Sequence, residues 1–289
     1  MSIDRNTVKM QFRLMCNKKG FQLAFLINLI YVLLTYLFYA WKQMGYDIST
    51  ISSPSAIFPL YINTEFFGMF INVVPFIVVL PFSMSFITDK TNLILPALQT
   101  RSGIKKYYVS KAVVCFIGSF LIFIIPLLLS SLLNNLTFPQ SGITFLGDLY
   151  DINFDSRLVG SDVVTITNWK GIWFPNLFIF NMELYNILYA FLFSVSMGLL
   201  GVFAYALSFL IKKQKILMLL PVYLIISVVN TLDLYLEKVL PSTCYKIFQY
   251  ITINHTQRKN QVFLIVFFSV LTIFAFILII RQSHKDQID

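Results

Sequence analysis

Long apolar runs separated by polar segments are the feature that most constrains this chain. Six runs fall at residues 21–41, 66–87, 109–133, 184–211, 216–232 and 262–280. A helix of about 20 apolar residues crosses the roughly 30 Å hydrocarbon core of a bilayer. With 57% hydrophobic and 12% charged residues, the chain has too little polar surface for a water-soluble fold. The sequence therefore predicts an all-α integral membrane protein with six transmembrane helices.

The distribution of lysine and arginine predicts the orientation of the spans. The two termini and the segment between the second and third spans share one side, which carries 15 of the 22 basic residues and four of the 13 acidic residues. We therefore expect a multi-pass protein with both termini in the cytoplasm. The basic charge is explained by this topology and by contact with lipid headgroups, not by nucleic-acid binding. The first apolar run is too long for a cleavable signal peptide and is interpreted as the first span.

The segment before the first span, residues 1–20, predicts a helix that lies in the membrane interface. Apolar side chains recur on one face and basic side chains on another: Val8, Phe12 and Met15 against Lys9 and Arg13. Gly20 is expected to end this helix. The alternative is a basic flank without fixed structure.

Two further segments are predicted to lie outside the spans. Residues 134–182 would be external, and their alternating apolar and polar residues predict one or two short strands. The aspartates there, Asp148, Asp151 and Asp155, indicate a solvated acidic loop, because their spacing does not match a helix–loop–helix calcium site. Residues 233–261 are apolar but interrupted by charges and a proline, so two short helices dipping into the outer leaflet and a surface-lying loop both fit.

The sequence lacks the patterns of an enzyme or of a metal site. It has no phosphate-binding glycine-rich loop, and His255 and His284 are predicted on opposite sides of the membrane, where they cannot share a metal. The spans carry no central carboxylate of the kind that ion-coupled transporters use. Lys111 is the one ionisable residue in a span, and its amine is expected to extend to the cytoplasmic interface. We expect no enzymatic activity and no cofactor or metal bound by this chain.

The polar residues within the spans are otherwise small or uncharged. The fourth span has a stripe of small residues, which predicts close packing against a neighbouring helix. This stripe comprises Ala190, Ser194, Gly198, Gly201, Ala204 and Ser208. Single asparagines in spans, such as Asn28, Asn72 and Asn230, are typical of hydrogen bonds between helices.

The polar stretch DKTNLILPALQTRSGIKKYYVSK, residues 89–111, predicts a short cytoplasmic helix between the second and third spans. Thr88 or Asp89 can cap this helix, and an acid suits the positive end of the helix dipole. The helix is expected to end near residue 100. Ser102 can then cap the next helix, which continues into the membrane.

With these features the whole chain resembles the permease subunits of type-2 ABC exporters, above all those of low-GC Gram-positive bacteria that handle peptides and antibiotics. The shared pattern is a helix before six spans, an outer segment between the last two spans and a characteristic loop at 88–107. That loop has an acid-led helix, a Leu-x-x-Arg-like element and a basic run ending in Lys. Asp89, Leu98, Arg101, Lys105, Lys106 and Lys111 stand at those places. Many members have Gly-Thr after the acid, where this chain has Leu93-Ile94.

The resemblance implies a single permease domain over residues 1–289 in a bacterial cytoplasmic membrane. The helix in the 88–107 loop would be a coupling helix that docks on a separate ATPase subunit, present in two copies, which binds ATP and Mg. The coupling residues would be Asp89, Lys90, Leu93, Leu98 and Arg101. A second permease copy, or a related permease, would contact spans one and five.

The resemblance also places candidates for a transport path on spans one, two and five. These are Asn28, Tyr31, Thr35, Asn72, Pro75, Ser227 and Asn230. Aromatic, apolar and uncharged span surfaces suit an amphipathic, antimicrobial-type peptide better than an anionic polymer or a metal ion. We therefore expect ATP-driven export of such a peptide. The alternatives are a permease for a lipid or lipid-linked compound and a non-transporting membrane immunity or assembly protein.

The six-span topology predicts that two cysteines lie on opposite sides of the membrane. In intact cells an impermeant thiol reagent is expected to label Cys244, whereas Cys16 is expected to react only after lysis. Replacing each cysteine by serine in turn assigns the labelled residue. Labelling of Cys16 in intact cells would contradict this orientation.

Overall fold

A computed structural model describes residues 5–47, 50–61, 64–81, 85–91, 95–140, 174–210, 219–239, 246–253 and 261–288. These residues form α-helices and one short 3₁₀ turn, Pro54–Ile57, and contain no β-strand beyond an isolated bridge between Tyr61 and Ile253. The helices are α1 (Arg5–Cys16), α2 (Lys19–Lys42), α3 (Phe67–Val79), α4 (Ser85–Thr91), α5 (Leu95–Ser102), α6 (Ile104–Thr137), α7 (Pro175–Phe180), α8 (Met182–Leu207), α9 (Leu219–Val239), α10 (Ile247–Ile251) and α11 (Gln261–Ile288).

Four of the described helices are long and apolar enough to cross a membrane, namely α2, α6, α8 and the part of α11 from Val262 to Lys285. These four helices confirm the predicted fold class, an all-α membrane protein. The helices at the predicted second and fifth spans are shorter, since α3 has 13 residues and the apolar part of α9 covers Leu219–Thr231.

The antiparallel pair α6 and α8 forms the centre of the bundle, and α1, α2 and α11 pack around it while α3 packs against α9. The predicted stripe of small residues is buried at this centre. Gly201 faces Ser119 of α6, and Gly198 faces the ring of Phe116. Large aromatic side chains fill the remaining space, among them the fully buried Tyr189 and Phe193. The stripe therefore allows two long helices to approach closely.

The predicted second span, residues 66–87, is not one unbroken helix. Helix α3 ends at Val79, and α4 begins at Ser85. Pro81 lies at the break and has no N–H to continue the helical hydrogen bonds, although the preceding Leu80 still has helical angles, φ −60° and ψ −40°. The start of α2 approaches this break so closely that a Cβ at Gly20 would lie 2.5 Å from the carbonyl oxygen of Leu80.

Gly20 therefore does not end the first helix, as the sequence had predicted, but lies in the first turn of α2. The face that α1 presents to the protein also differs from the predicted one. Thr7, Gln11 and Met15 are buried, while Val8 and Phe12 are half-buried. Met15 fixes which face of α1 is buried, because its sulfur occupies the space beside Gly118 of α6 where a Cβ would lie. The basic face is exposed, as predicted.

The two segments predicted outside the spans are described in part. Residues 141–173, which include the predicted strands and the three aspartates, lie outside the described residues. Residues 233–239, predicted to begin the separate segment 233–261, continue α9. Pro221 is the third residue of α9, where a missing N–H costs no helical hydrogen bond. Helix α10 is short and buried, with Ile247 and Tyr250 fully enclosed.

The close α6–α8 contact predicts that Gly201→Val destabilises the protein. A Cβ at Gly201 would lie 2.3 Å from the Ser119 hydroxyl oxygen and 3.0 Å from its Cβ. Overpacking of this kind costs about 1–3 kcal/mol. Gly68→Val is the matched control, because a Cβ there meets no atom within 4 Å. Thermal unfolding in detergent is expected to show a clearly lower midpoint for Gly201→Val alone, and equal midpoints for the two variants would contradict the packing.

Candidate functional site

A groove between α3 and α9 is the first candidate site. It has a volume of about 180 Å³, and Phe248 of α10 contributes to its lining. Its walls are formed by Ile71, Asn72, Pro75, Tyr223, Ile226, Ser227, Asn230, Thr231 and Phe248. Four of the seven residues predicted for a transport path, Asn72, Pro75, Ser227 and Asn230, thus line one space.

The chemistry of the groove is neutral and amphipathic. None of its nine lining residues is charged. The Asn72 amide donates to the Gly68 carbonyl at 2.9 Å, and the Thr231 hydroxyl donates to the Ser227 carbonyl at 2.8 Å. The carboxamide oxygen of Asn230 is enclosed without a hydrogen-bond partner in the described part of the chain. The groove therefore combines neutral polar residues with aromatic and aliphatic walls.

The other three predicted path residues do not reach the groove. Asn28 is fully buried and donates to the Ile122 carbonyl of α6 at 2.7 Å. The Tyr31 hydroxyl donates to the Pro59 carbonyl at 2.6 Å, and the Thr35 hydroxyl donates to the Tyr31 carbonyl at 2.9 Å. Asn28 and Tyr31 thus join α2 to α6 and to residue 59, whereas the Thr35 bond stays within α2.

A buried ion pair joins α4 to the start of α6 and is the second candidate site. The amine of Lys111 donates to the Asp89 carboxylate. The Tyr107 hydroxyl donates to the same carboxylate oxygen at 2.7 Å and accepts from Lys111 at 2.6 Å. Lys111 is fully buried, and 16% of the Asp89 side chain is exposed. A charge enclosed in this way is stable only with a partner and further hydrogen bonds.

This pair corrects two predictions. Asp89 lies within α4 and does not cap a helix extending to residue 100, because α4 ends at Thr91 and a separate helix, α5, begins at Leu95. Lys111 does not extend to the interface, because its amine is bound by Asp89 and Tyr107. The next helix also begins differently, since its cap is Gly103, whose positive φ of 79° favours glycine, rather than Ser102.

The residues predicted for coupling occupy different surroundings. Asp89 belongs to the ion pair, Lys90 is exposed, and Leu98 is half-buried against the core. Arg101 lies in α5, and Leu93 lies outside the described residues. Among the positions of α5 whose side chains are described, Pro96, Ala97 and Thr100 are exposed. Gln99 turns inward and donates to the Tyr108 hydroxyl at 3.3 Å, which fixes α5 to α6.

The pairing of Asp89 with Lys111 was not predicted, although the sequence contained a signal for it. Lys111 is the one ionisable residue within the predicted spans, and a buried cation requires an anion. Asp89 is the one acid in the adjoining 23-residue stretch. The resemblance assigned Asp89 to coupling and Lys111 to the end of a basic run, so it did not indicate that the two side chains contact each other.

Neither site has the composition of a metal centre. Among the described residues, no group of three or more His, Cys, Asp or Glu side chains could hold a metal ion. Comparison of the chain with protein-family models, with curated proteins and with solved structures found no match.

The burial of the ion pair predicts that Lys111→Met strongly destabilises the protein. The change leaves the Asp89 carboxylate without its cation, and breaking a buried pair costs about 3–5 kcal/mol. The double variant Asp89→Asn, Lys111→Met removes both charges and is expected to recover a large part of that loss. Thermal unfolding in detergent measures both effects.

The pair between Lys42 and Glu65 supplies the control. Its atoms are 3.7 Å apart, and the two side chains are 56% and 52% exposed. Glu65→Gln is expected to cost less than about 1 kcal/mol, because exposed pairs are screened by solvent. If Lys111→Met and Glu65→Gln lowered the unfolding midpoint equally, the stabilising role of the buried pair would be refuted.

Proposed function

We propose that this chain is the membrane-spanning permease subunit of an ATP-driven ABC exporter for an amphipathic, antimicrobial-type peptide. The observation that carries this proposal is the neutral groove between α3 and α9. In the proposed membrane arrangement, α2, α3 with α4, α6, α8, α9 and α11 make six passages. Helix α1 lies at the cytoplasmic interface as the elbow of the bundle. Both termini and α5 are in the cytoplasm of a bacterial cell.

The lining of the groove supports a peptide as the cargo. A peptide has neutral N–H and C=O groups together with apolar side chains, and the groove offers both kinds of partner. Asn72 and Asn230 contribute carboxamides to the lining, and Tyr223 and Phe248 contribute aromatic surface. An anionic polymer would need cationic groups along this surface, and none of the lining residues is charged.

The position of α5 supports a coupling role. This helix packs on α4 and on the start of α6 and keeps one side exposed. The Asp89–Lys111 pair joins α4 to α6, and the Gln99–Tyr108 bond joins α5 to α6. A force applied to α5 would therefore reach α4 and α6 together. Helix α3, a wall of the groove, precedes α4 in the chain.

The proposed complex contains two ATPase subunits, which bind ATP and Mg, and a second permease. The exposed side of α5, with Pro96, Ala97 and Thr100, would face the ATPase. The second permease would contact α2 and α9, which carry exposed apolar side chains such as Leu34 and Leu224. Membrane lipid covers the remaining apolar surface, as on α11.

The proposal predicts that the complex, purified in mild detergent and reconstituted in liposomes, hydrolyses Mg-ATP faster when cationic amphipathic peptides are added. Asn72→Ala and Asn230→Ala are expected to weaken this stimulation, because each removes a polar group from the groove. A lost hydrogen bond is worth about 1 kcal/mol, or roughly a fivefold higher half-maximal peptide concentration. Phospholipids and lipid-linked sugars are tested alongside.

Asn135→Ala is the matched control for Asn72→Ala. The Asn135 amide donates to the carbonyl four residues earlier, as the Asn72 amide does, but it lies outside the groove. Its peptide response is expected to equal that of the parent. If only lipid-linked sugars or phospholipids stimulated ATP hydrolysis, the cargo would be a lipid and not a peptide. A protein that purifies without any ATPase would refute the exporter and favour a non-transporting immunity or assembly protein.

A further inference from the structure

The connection between α2 and α3 is inserted into the bundle instead of crossing its surface. Residues 53–61, here termed the inserted segment, are buried along most of their length. Ile57, Phe58 and Leu60 are at most 1% exposed. Its one regular element is the short 3₁₀ turn Pro54–Ile57, so most backbone polar groups of this buried connection need other partners.

Side chains from three different helices bind the carbonyl groups of the inserted segment. Asn186 of α8 donates to the Ser55 carbonyl at 2.8 Å, and Asn134 of α6 donates to the Ile57 carbonyl at 2.9 Å. Tyr31 of α2 donates to the Pro59 carbonyl at 2.6 Å. Three specific, long-range contacts of this kind fix the position of the segment in the bundle.

The inserted segment is also joined to the groove. The Ile253 amide donates to the Leu60 carbonyl at 3.0 Å, which forms the bridge between the segment and the end of α10. Thr252 binds the Phe248 carbonyl through its amide at 3.0 Å and through its hydroxyl at 2.6 Å. Since Phe248 lines the groove, the segment is connected to the groove wall through residues 248–253.

A second connection reaches the groove through α3. The ring of Tyr31 stacks on Phe70 with centroids 3.8 Å apart and planes 2° from parallel. Phe70 directly precedes the groove residues Ile71 and Asn72. A shift of α3 would therefore disturb the Tyr31 hydroxyl, and with it the Pro59 carbonyl.

These contacts lie at the end of the bundle opposite α5. Asn134 is in the last turn of α6, whereas Lys111 is near its start, beside α5. Asn186 is near the beginning of the antiparallel helix α8. The groove therefore has the ion pair and α5 toward one end and the inserted segment with α10 at the other.

We propose that the inserted segment and residues 246–253 form a gate that closes the groove at the end opposite α5. This inference rests on the proposed function, because release of cargo on that side requires the gate to open. Opening separates Ile253 from Leu60 and releases the segment carbonyls from Asn134 and Asn186. No helix has to unfold, since hydrogen bonds from side chains and from one amide hold the segment.

The test uses Ser227→Cys as a reporter inside the groove, with Cys16, Cys115 and Cys244 replaced by alanine. An impermeant thiol reagent is added to intact cells and, separately, to inverted vesicles. Asn134→Ala with Asn186→Ala is expected to raise the labelling rate at least about tenfold, because two lost hydrogen bonds shift the closed–open equilibrium. The increase is expected only from the side opposite α5.

A disulfide then closes the same gate. Tyr61→Cys and Ile253→Cys are placed at the bridge between the inserted segment and the end of α10. In the Asn134→Ala, Asn186→Ala protein, oxidation of this pair is expected to return the labelling rate of Ser227→Cys to the parent value, and reduction is expected to restore the fast rate. A misfolded variant would label rapidly in both redox states, from both sides, and would count against the gate.

Labelling needs neither ATPase nor cargo, so it separates the gate from the proposed function. Labelling that does not change with the asparagine variants, or that stays fast after oxidation, overturns the gate even if peptides stimulate ATP hydrolysis. Labelling that responds as expected in a protein that purifies without any ATPase supports the gate while the exporter is refuted. In the intact complex, oxidation is expected to abolish peptide export, and unchanged export would also overturn the gate.

Discussion

The structure depends on one constraint, which is that polar groups surrounded by hydrocarbon must find their partners within the protein. Continuous helices satisfy this constraint along α2, α6, α8 and α11 by their own backbone hydrogen bonds. Where the backbone leaves a helix, side chains take over, as Asn134, Asn186 and Tyr31 do for the inserted segment. Each irregular stretch is thereby tied to particular partners. Such stretches are the places where a change of partners can change the conformation.

The same constraint accounts for the ion pair. Lys111 lies too deep for its amine to reach water, and Asp89 with Tyr107 replaces the lost hydration. A hydrophobic residue at position 111 paired with a neutral residue at 89 would avoid the desolvation cost. The charges instead specify where α4 meets α6, because a buried cation tolerates few positions for its anion.

The long apolar runs made the helical membrane fold predictable, since run length maps directly onto helix length. Interruptions of helices were harder, because they depend on neighbours that are distant in the chain. Pro81 marks the break after α3 in the sequence, but the close approach of Gly20 to Leu80 at this break joins residues 60 positions apart. Four predicted path residues line the groove because they lie on the facing sides of α3 and α9. Asn28 and Tyr31 are also polar, but they form hydrogen bonds to neighbouring parts of the protein. Residue type alone does not distinguish a hydrogen bond to a ligand from one to a neighbouring helix.

Helix α3 connects the two proposed mechanical parts. One end is joined, across the break at Pro81, to α4 and so to the ion pair beside α5. The other end begins beside the inserted segment and carries Phe70, on which the Tyr31 ring stacks. Because α3 has only 13 residues, it can tilt between the inserted segment and α4 without breaking the α6–α8 centre. A movement that starts at α5 would then reach the groove wall first and the gate second, which is the order that release away from α5 requires.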